Sequence, residues 1–351
     1  YGTAVRVRVK AGTAIGEVTN TLQVFTDEAQ STCSTNNTRP VDPWKAVAST
    51  DAADADADGD TTESGCTTTD VAIVAESVAI DATKWDKGML ETVADATGLA
   101  DEECPNWDGF TRFPCVAQTI PGGAIDYRMK LTNLGNVALT DYVVYDVLPH
   151  VGDKGVTEFL SEGQRGTQWT PELTGPVVVD AALTTAANAA PVVEYSLSSN
   201  PCRPELATGS EDANWQGTDC VDEWLTDAEV TDWTSVKSFR MTAFSPDSDD
   251  KWAPGADIVL AFPMKAPIDA EQSVKDPLDL SVAWNSIGQR VHRTTSEGDG
   301  SIIRLQANAP RKVGVIIPFT LPELVSVGDY TWWDHDRDGQ RPGVEGDDHA
   351  L

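Results

Sequence analysis

Val5, Val7 and Val9 alternate with Arg6, Arg8 and Lys10, and this period of two recurs along the chain. Successive side chains of a strand point to opposite faces, so such alternation marks strands with one buried face. Ile15 to Phe25, rich in Thr and Val, is a second such run. Ala124–Thr132 and Val137–Val147 flank the turn Asn133–Asn136, and the second run ends at Leu148–Pro149. Further strands are expected at Val71–Ile80, Val177–Val179, Val192–Leu197, Ser238–Ala243, Asp257–Pro263, Leu278–Trp284 and Val313–Thr320. Thr83–Gly88 falls outside any clean alternation, and Met89–Leu99 reads as a short helix. No helical period is sustained over several turns. Strands at short spacing between Gly, Pro and Asn turns predict an all-β chain of tandem immunoglobulin-like β-sandwiches.

The 351 residues allow two or three domains, at roughly 100–200 residues each. Asp and Glu number 56 against 25 Lys and Arg, a net charge of −31. Phosphates would be repelled by that field, which excludes nucleic acid and anionic membrane surfaces as partners. No apolar run reaches the roughly 18 residues that a membrane span needs. The chain begins within a strand-like run and stops after an acidic loop, which reads as a fragment of a longer precursor.

Cysteines close in sequence pair as Cys33–Cys66, Cys104–Cys115 and Cys202–Cys220. Six cysteines permit many connectivities, so proximity gives a preference among them. Each local pair brackets a polar stretch rich in turn-forming residues, where a staple supplies order that packing cannot. Closing such a loop contributes roughly 3 kcal/mol. Disulfides imply an oxidising compartment, hence an extracellular chain.

Asp334, Asp336, Asp338 and Gln340, with Gly339 between the last two and Glu345 at the twelfth position, fit a calcium loop. Calcium takes six to eight hard oxygens. Carboxylates at positions one, three and five, a carbonyl at seven and a bidentate Glu at twelve supply them, and the Gly permits the sharp turn. A second acidic run, Asp54, Asp56, Asp58 and Asp60 with Gly59, matches the first half of that pattern. Gly65 stands at its twelfth place, and Glu63 is the available substitute. The expected cofactor is therefore Ca2+. The same run also fits a low-complexity acidic tract.

Motifs for serine hydrolysis, zinc proteolysis and phosphate binding are missing, and the four histidines show no metal spacing. The expectation is a non-enzymatic protein. Two alternatives stay open. Trp85, Trp107, Trp169 and Trp215 lie in polar surroundings, where exposed rings stack on sugars in a carbohydrate-binding module. Paired carboxylates on a sandwich scaffold would suit a glycoside-active enzyme, although 56 acids guarantee pairs by chance.

Val325–Gln340 followed by Glu345 resembles the start of a B-type repeat of serine-aspartate-repeat surface proteins (SdrD B-like), whose opening strand leads into an acidic calcium loop. Gly122–Pro149 resembles the conserved-repeat β-sandwich, a domain of unknown function found in bacterial surface proteins. Its marks are a tyrosine strand, a Thr-Asn-x-Gly-Asn turn and a strand ending in Asp-x-Leu-Pro. Ala11–Asn20 looks like the end of a preceding copy. The resemblance implies three segments. Residues 1–70 would be the tail of one repeat plus an acidic loop, 71–320 a full enlarged repeat, and 321–351 the start of the B-type repeat. It further implies a stalk, fibre or adhesin at the bacterial cell surface or cell wall. Partners would be neighbouring repeats, other copies in a fibre, and a host or glycan ligand.

Relatives of this repeat in fimbrial proteins form a Lys–Asn isopeptide bond assisted by a buried acid. By that resemblance Lys84 or Lys87 would join Asn285, with Asp146 assisting. The chemistry requires burial, because a lysine must lose its proton before it attacks an amide.

Overall fold

Alternation of inward and outward side chains builds nearly every element of the chain. The computed structural model describes residues 9–26, 33, 35–36, 44–45, 47–54, 57–95, 103–209, 215–245, 250–270, 272–273, 280–294, 302–319, 332–333 and 349–350. In chain order the main strands are β1 (Gly16–Thr26), β2 (Val47–Thr50), β3 (Ser64–Val74), β4 (Ile80–Gly88), β5 (Leu90–Asp95), β6 (Cys115–Gln118), β7 (Ala124–Asn133) and β8 (Thr140–Val147). They continue with β9 (Val192–Ser196), β10 (Ser238–Ala243), β11 (Asp257–Lys265), β12 (Val282–Asn285), β13 (Ile287–Thr294), β14 (Ile302–Arg304) and β15 (Val313–Ile316). Among the described residues the helical segments are three-residue 3-10 turns such as Glu158–Leu160. The protein is all-β, in keeping with β-sandwich architecture.

Three sheets enclose one core. The first has the order β9–β10–β8–β13–β14. The second runs β11–β7–β4, with Glu172–Leu173 and Val178–Val179 paired along the outer edge of β11. A third, β12–β15–β6–β5, closes one side, with β15 and β6 parallel. Inward residues of all three meet in a single cluster: Ile125, Tyr127, Met129 and Leu131 of β7, Phe262 of β11, Tyr142 and Val144 of β8, Phe239 of β10, Ala283 of β12 and Val315 of β15. Burying each large apolar side chain is worth ~1.5–3 kcal/mol, so this cluster dominates the stability of the fold. A fourth sheet, β1–β3–β2, lies outside it. There β1 and β3 pair over their whole length, from Gly16 opposite Val74 to Thr26 opposite Ser64.

Disulfides join Cys33 to Cys66, Cys104 to Cys115 and Cys202 to Cys220, as proximity in the sequence suggests. Strand β3 runs through the expected boundary between residues 70 and 71. The helix expected over Met89–Leu99 is corrected: residues 90–95 form β5, paired with β6, and 96–99 lie outside the described residues. Leu, Ala and Glu give this stretch helix propensity, but the free edge of β6 offers ladder bonds that a single helical turn cannot match. A second correction concerns Thr83–Gly88, which belongs wholly to β4. That strand ends at Gly88 because its backbone abuts Gln118 of β6; a Cβ there would sit 1.9 Å from the Gln118 carbonyl oxygen.

Candidate functional site

Strand β4 carries buried Ala82, Lys84, Asp86 and Gly88 on one face and half-buried Thr83, Trp85 and Lys87 on the other. The alternation is that of an ordinary strand, but two of its inward positions are ionisable. Register with β7 sets Lys84 opposite Met129 and Asp86 opposite Tyr127. Across the core, Asp146 lies near the end of β8, opposite Ile287 of β13. Asn285 ends β12 just two residues before Ile287, so the chain itself delivers the amide to the side of Asp146.

Lys84 is 1% exposed and Asp146 and Asn285 are fully buried. The Lys84 Nζ donates to Asp146 Oδ2. The same Nζ lies 5.1 Å from the ring centres of both Tyr127 and Phe262, which stack on each other at 5.0 Å. Burial among these rings lowers the Lys84 pKa to about 8, against the attraction of Asp146. Desolvation raises that of Asp146, opposed by Lys84. The two shifts point the same way, toward an uncharged amine facing a protonated acid. Beside them Asp86 is held well above the usual carboxylate range by burial, and among the described residues neither of its oxygens meets a donor from another side chain.

Asn285 completes the group. Its amide is near enough to Asp146 to favour the charged carboxylate, yet among the described residues its Nδ2 makes no hydrogen bond of normal geometry. Its Oδ1 accepts from Arg165 Nη1 at 3.4 Å. Arg165 is held by Asp153, whose Oδ2 takes Nη2 at 2.5 Å and Thr167 Oγ1 at 2.9 Å. An amine, an amide and an acid thus meet in a dry core, the groups that amide exchange requires. Of the two lysines expected there, Lys84 lies against Asp146, which the Asn285 amide also influences, whereas Lys87 points from the outer face toward Gly109. Arg165 and Asp86 escape sequence reasoning. Asp86 carried a usable signal, its two-residue spacing from Lys84; Arg165, in a turn-rich stretch, carried none.

The remaining expected sites divide. Asp334, Asp336, Asp338, Gln340 and Glu345 lie outside the described residues, as does Asp56. Asp54, Asp58 and Asp60 accept from the backbone amides of Gly59, Asp60 and Thr62 at 3.2, 2.8 and 2.8 Å. Among the described residues no group of three His, Cys, Asp or Glu is arranged to hold a metal ion. Trp169 is buried and bonded to the Ser281 carbonyl. Trp215 donates to the Arg203 carbonyl and packs on its guanidinium. Trp85 and Trp107 meet edge to face, with Arg112 over one ring and Arg128 over the other.

No family model and no curated protein matches the chain. Among solved structures it is similar to a variant of BcpA, the major pilin subunit of Bacillus cereus, at 12% identity and a TM-score of 0.25. The match covers 74% of this chain and 50% of the pilin chain, so this chain spans about half the length of that protein. Agreement this slight says nothing about what the present chain does.

Proposed function

We propose that this chain is a structural module of an extracellular surface protein, its sandwich tied by an amide bond between Lys84 and Asn285. One observation carries the reading: a buried lysine amine rests on a buried acid with an asparagine amide alongside. The uncharged Nζ attacks Asn285 Cγ, and the Nζ–Cγ bond forms as the Cγ–Nδ2 bond breaks. Asp146, protonated at the start, gives its proton to Nδ2, which leaves as ammonia, and takes one from Nζ in its place. The atom expelled is the one without a regular hydrogen bond. Because β4 belongs to the second sheet and β12 to the third, the new bond would join two sheets covalently. A module so tied resists being pulled apart, which suits a stalk or fibre subunit meeting other copies of itself. Three disulfides fit the same oxidising exterior. A protease digest, reduced and sequenced by tandem mass spectrometry, should contain a branched peptide joining Lys84 to Asn285. Linear peptides carrying each residue unmodified, and no branched one, would refute the bond.

Calcium belongs to the proposal on the strength of its sequence pattern, at Asp334, Asp336, Asp338, Gln340 and Glu345 and at the run from Asp54 to Asp60. Bound calcium would cancel carboxylate repulsion and stiffen these loops. Chelation should then lower the melting temperature; an unchanged melt would remove calcium from the account.

A further inference from the structure

A lysine, an amide and an acid leave one charge unaccounted for. When Nζ adds to Cγ, the carbonyl oxygen of Asn285 becomes an oxyanion, and in a dry core that charge needs a fixed donor. Bulk solvent does not reach it, since Asn285 is fully buried. The structure places a guanidinium there. Arg165 Nη1 reaches Asn285 Oδ1 at 3.4 Å, and the Ser286 carbonyl oxygen at the same distance. Its Nη2 is anchored to Asp153 at 2.5 Å and to the Leu148 carbonyl at 3.2 Å.

We propose that Arg165 is a catalytic residue of this ligation, its Nη1–H stabilising the negative charge that develops on Asn285 Oδ1. The proposal rests on the Lys84–Asn285 amide argued above. Its geometry follows from the fork of the guanidinium. One arm is fixed by Asp153 and Leu148, so the other is aimed at the amide oxygen and at the Ser286 oxygens beside it. Asp153 serves as a positioning residue, held in turn by Thr167 and by the His150 backbone amide at 3.1 Å. Among the described residues the Nε of Arg165 has no hydrogen-bond partner, so it is the two terminal nitrogens that orient the side chain. Arg165 has a second effect on the nucleophile. Facing Lys84 are Asp86 on its own strand, Asp146 on β8, Tyr127 on β7 and Arg165 on the loop after β8. Of these, Arg165 alone repels the charged ammonium. It therefore enlarges the fraction of amine free to attack.

The test is the speed of ammonia loss. Full-length chain made by cell-free translation is quenched with acid at intervals, and its intact mass is followed over a range of pH. Arg165→Met should convert at least ~100-fold more slowly than wild type, the usual cost of losing one oxyanion donor. Its rate should also begin to rise at higher pH, because Lys84 then holds its proton more firmly. Neither change is expected of a residue that only fills space. Folding is checked by near-ultraviolet circular dichroism against the wild-type chain. Should Arg165→Met fail that check, Arg165→Lys replaces it, keeping the charge but losing the fork, and slower conversion is again expected. A folded variant of either kind converting at the wild-type rate overturns the role of Arg165 and leaves the bond intact. Wild-type chain that never loses ammonia removes bond and catalyst together.

Discussion

The outer sheet and the sandwich use the same strands and hydrogen bonds, yet the proposed chemistry belongs to the sandwich. In β1–β3–β2 the apolar residues stay wet: Leu22 is 59% exposed, Val24 61% and Ile73 77%. That sheet is stitched by a long backbone ladder and the Cys33–Cys66 bridge. In the sandwich, by contrast, Lys84, Asp86, Asp146, Asp153 and Arg165 are all buried. In the loop before β3, hydrogen bonds from Thr62 hold the exposed Asp60 carboxyl below its ordinary pKa. Burial pushes Asp86 and Asp146 in the core the other way, toward their protonated forms. Burial, more than residue type, makes an amine nucleophilic and a carboxyl a proton carrier.

The contrast is broken most severely at Asp146. Asp146→Ala would strand Lys84 in the core without a partner and block proton transfer. The expected loss is about 3–5 kcal/mol in chemical denaturation, with the full unlinked mass retained. A variant as stable as wild type would mean that neither the acid nor the amide bond it promotes contributes to stability. A smaller and local effect is expected in the outer sheet. Replacing Cys33 and Cys66 by Ser should cost about 2–4 kcal/mol there. Hydrogen exchange should quicken across β1 and β3 while β7 and β8 keep their protection. Equal deprotection of all four strands would show that the two regions unfold as one, and would erase the distinction drawn here.

How much of this could be read in advance depended on what each strand buries. Strands β7 and β8 were legible because Ile125, Tyr127, Met129 and Leu131 alternate with polar residues and a Thr-Asn-x-Gly-Asn turn divides the pair. Strand β10 was found at its observed limits for the same reason. Strand β4 was not. Lys84 and Asp86 hold inward positions that a hydrophobic pattern expects to be apolar, so the rule fails where the proposed chemistry lies. Lys84, Asn285 and Asp146 were nominated by resemblance, and the alternation itself argued against the lysine. Arg165 lies beyond local patterns altogether: its role depends on a loop returning to β12 across about 120 residues of chain.

The central claim is best tested by the intact mass of the reduced, denatured protein beside that of Lys84→Met. Wild type should be lighter than its sequence by the mass of one ammonia, and the variant should match its own sequence. Wild-type protein at its full sequence mass, after prolonged incubation in the folded state, would contradict the account.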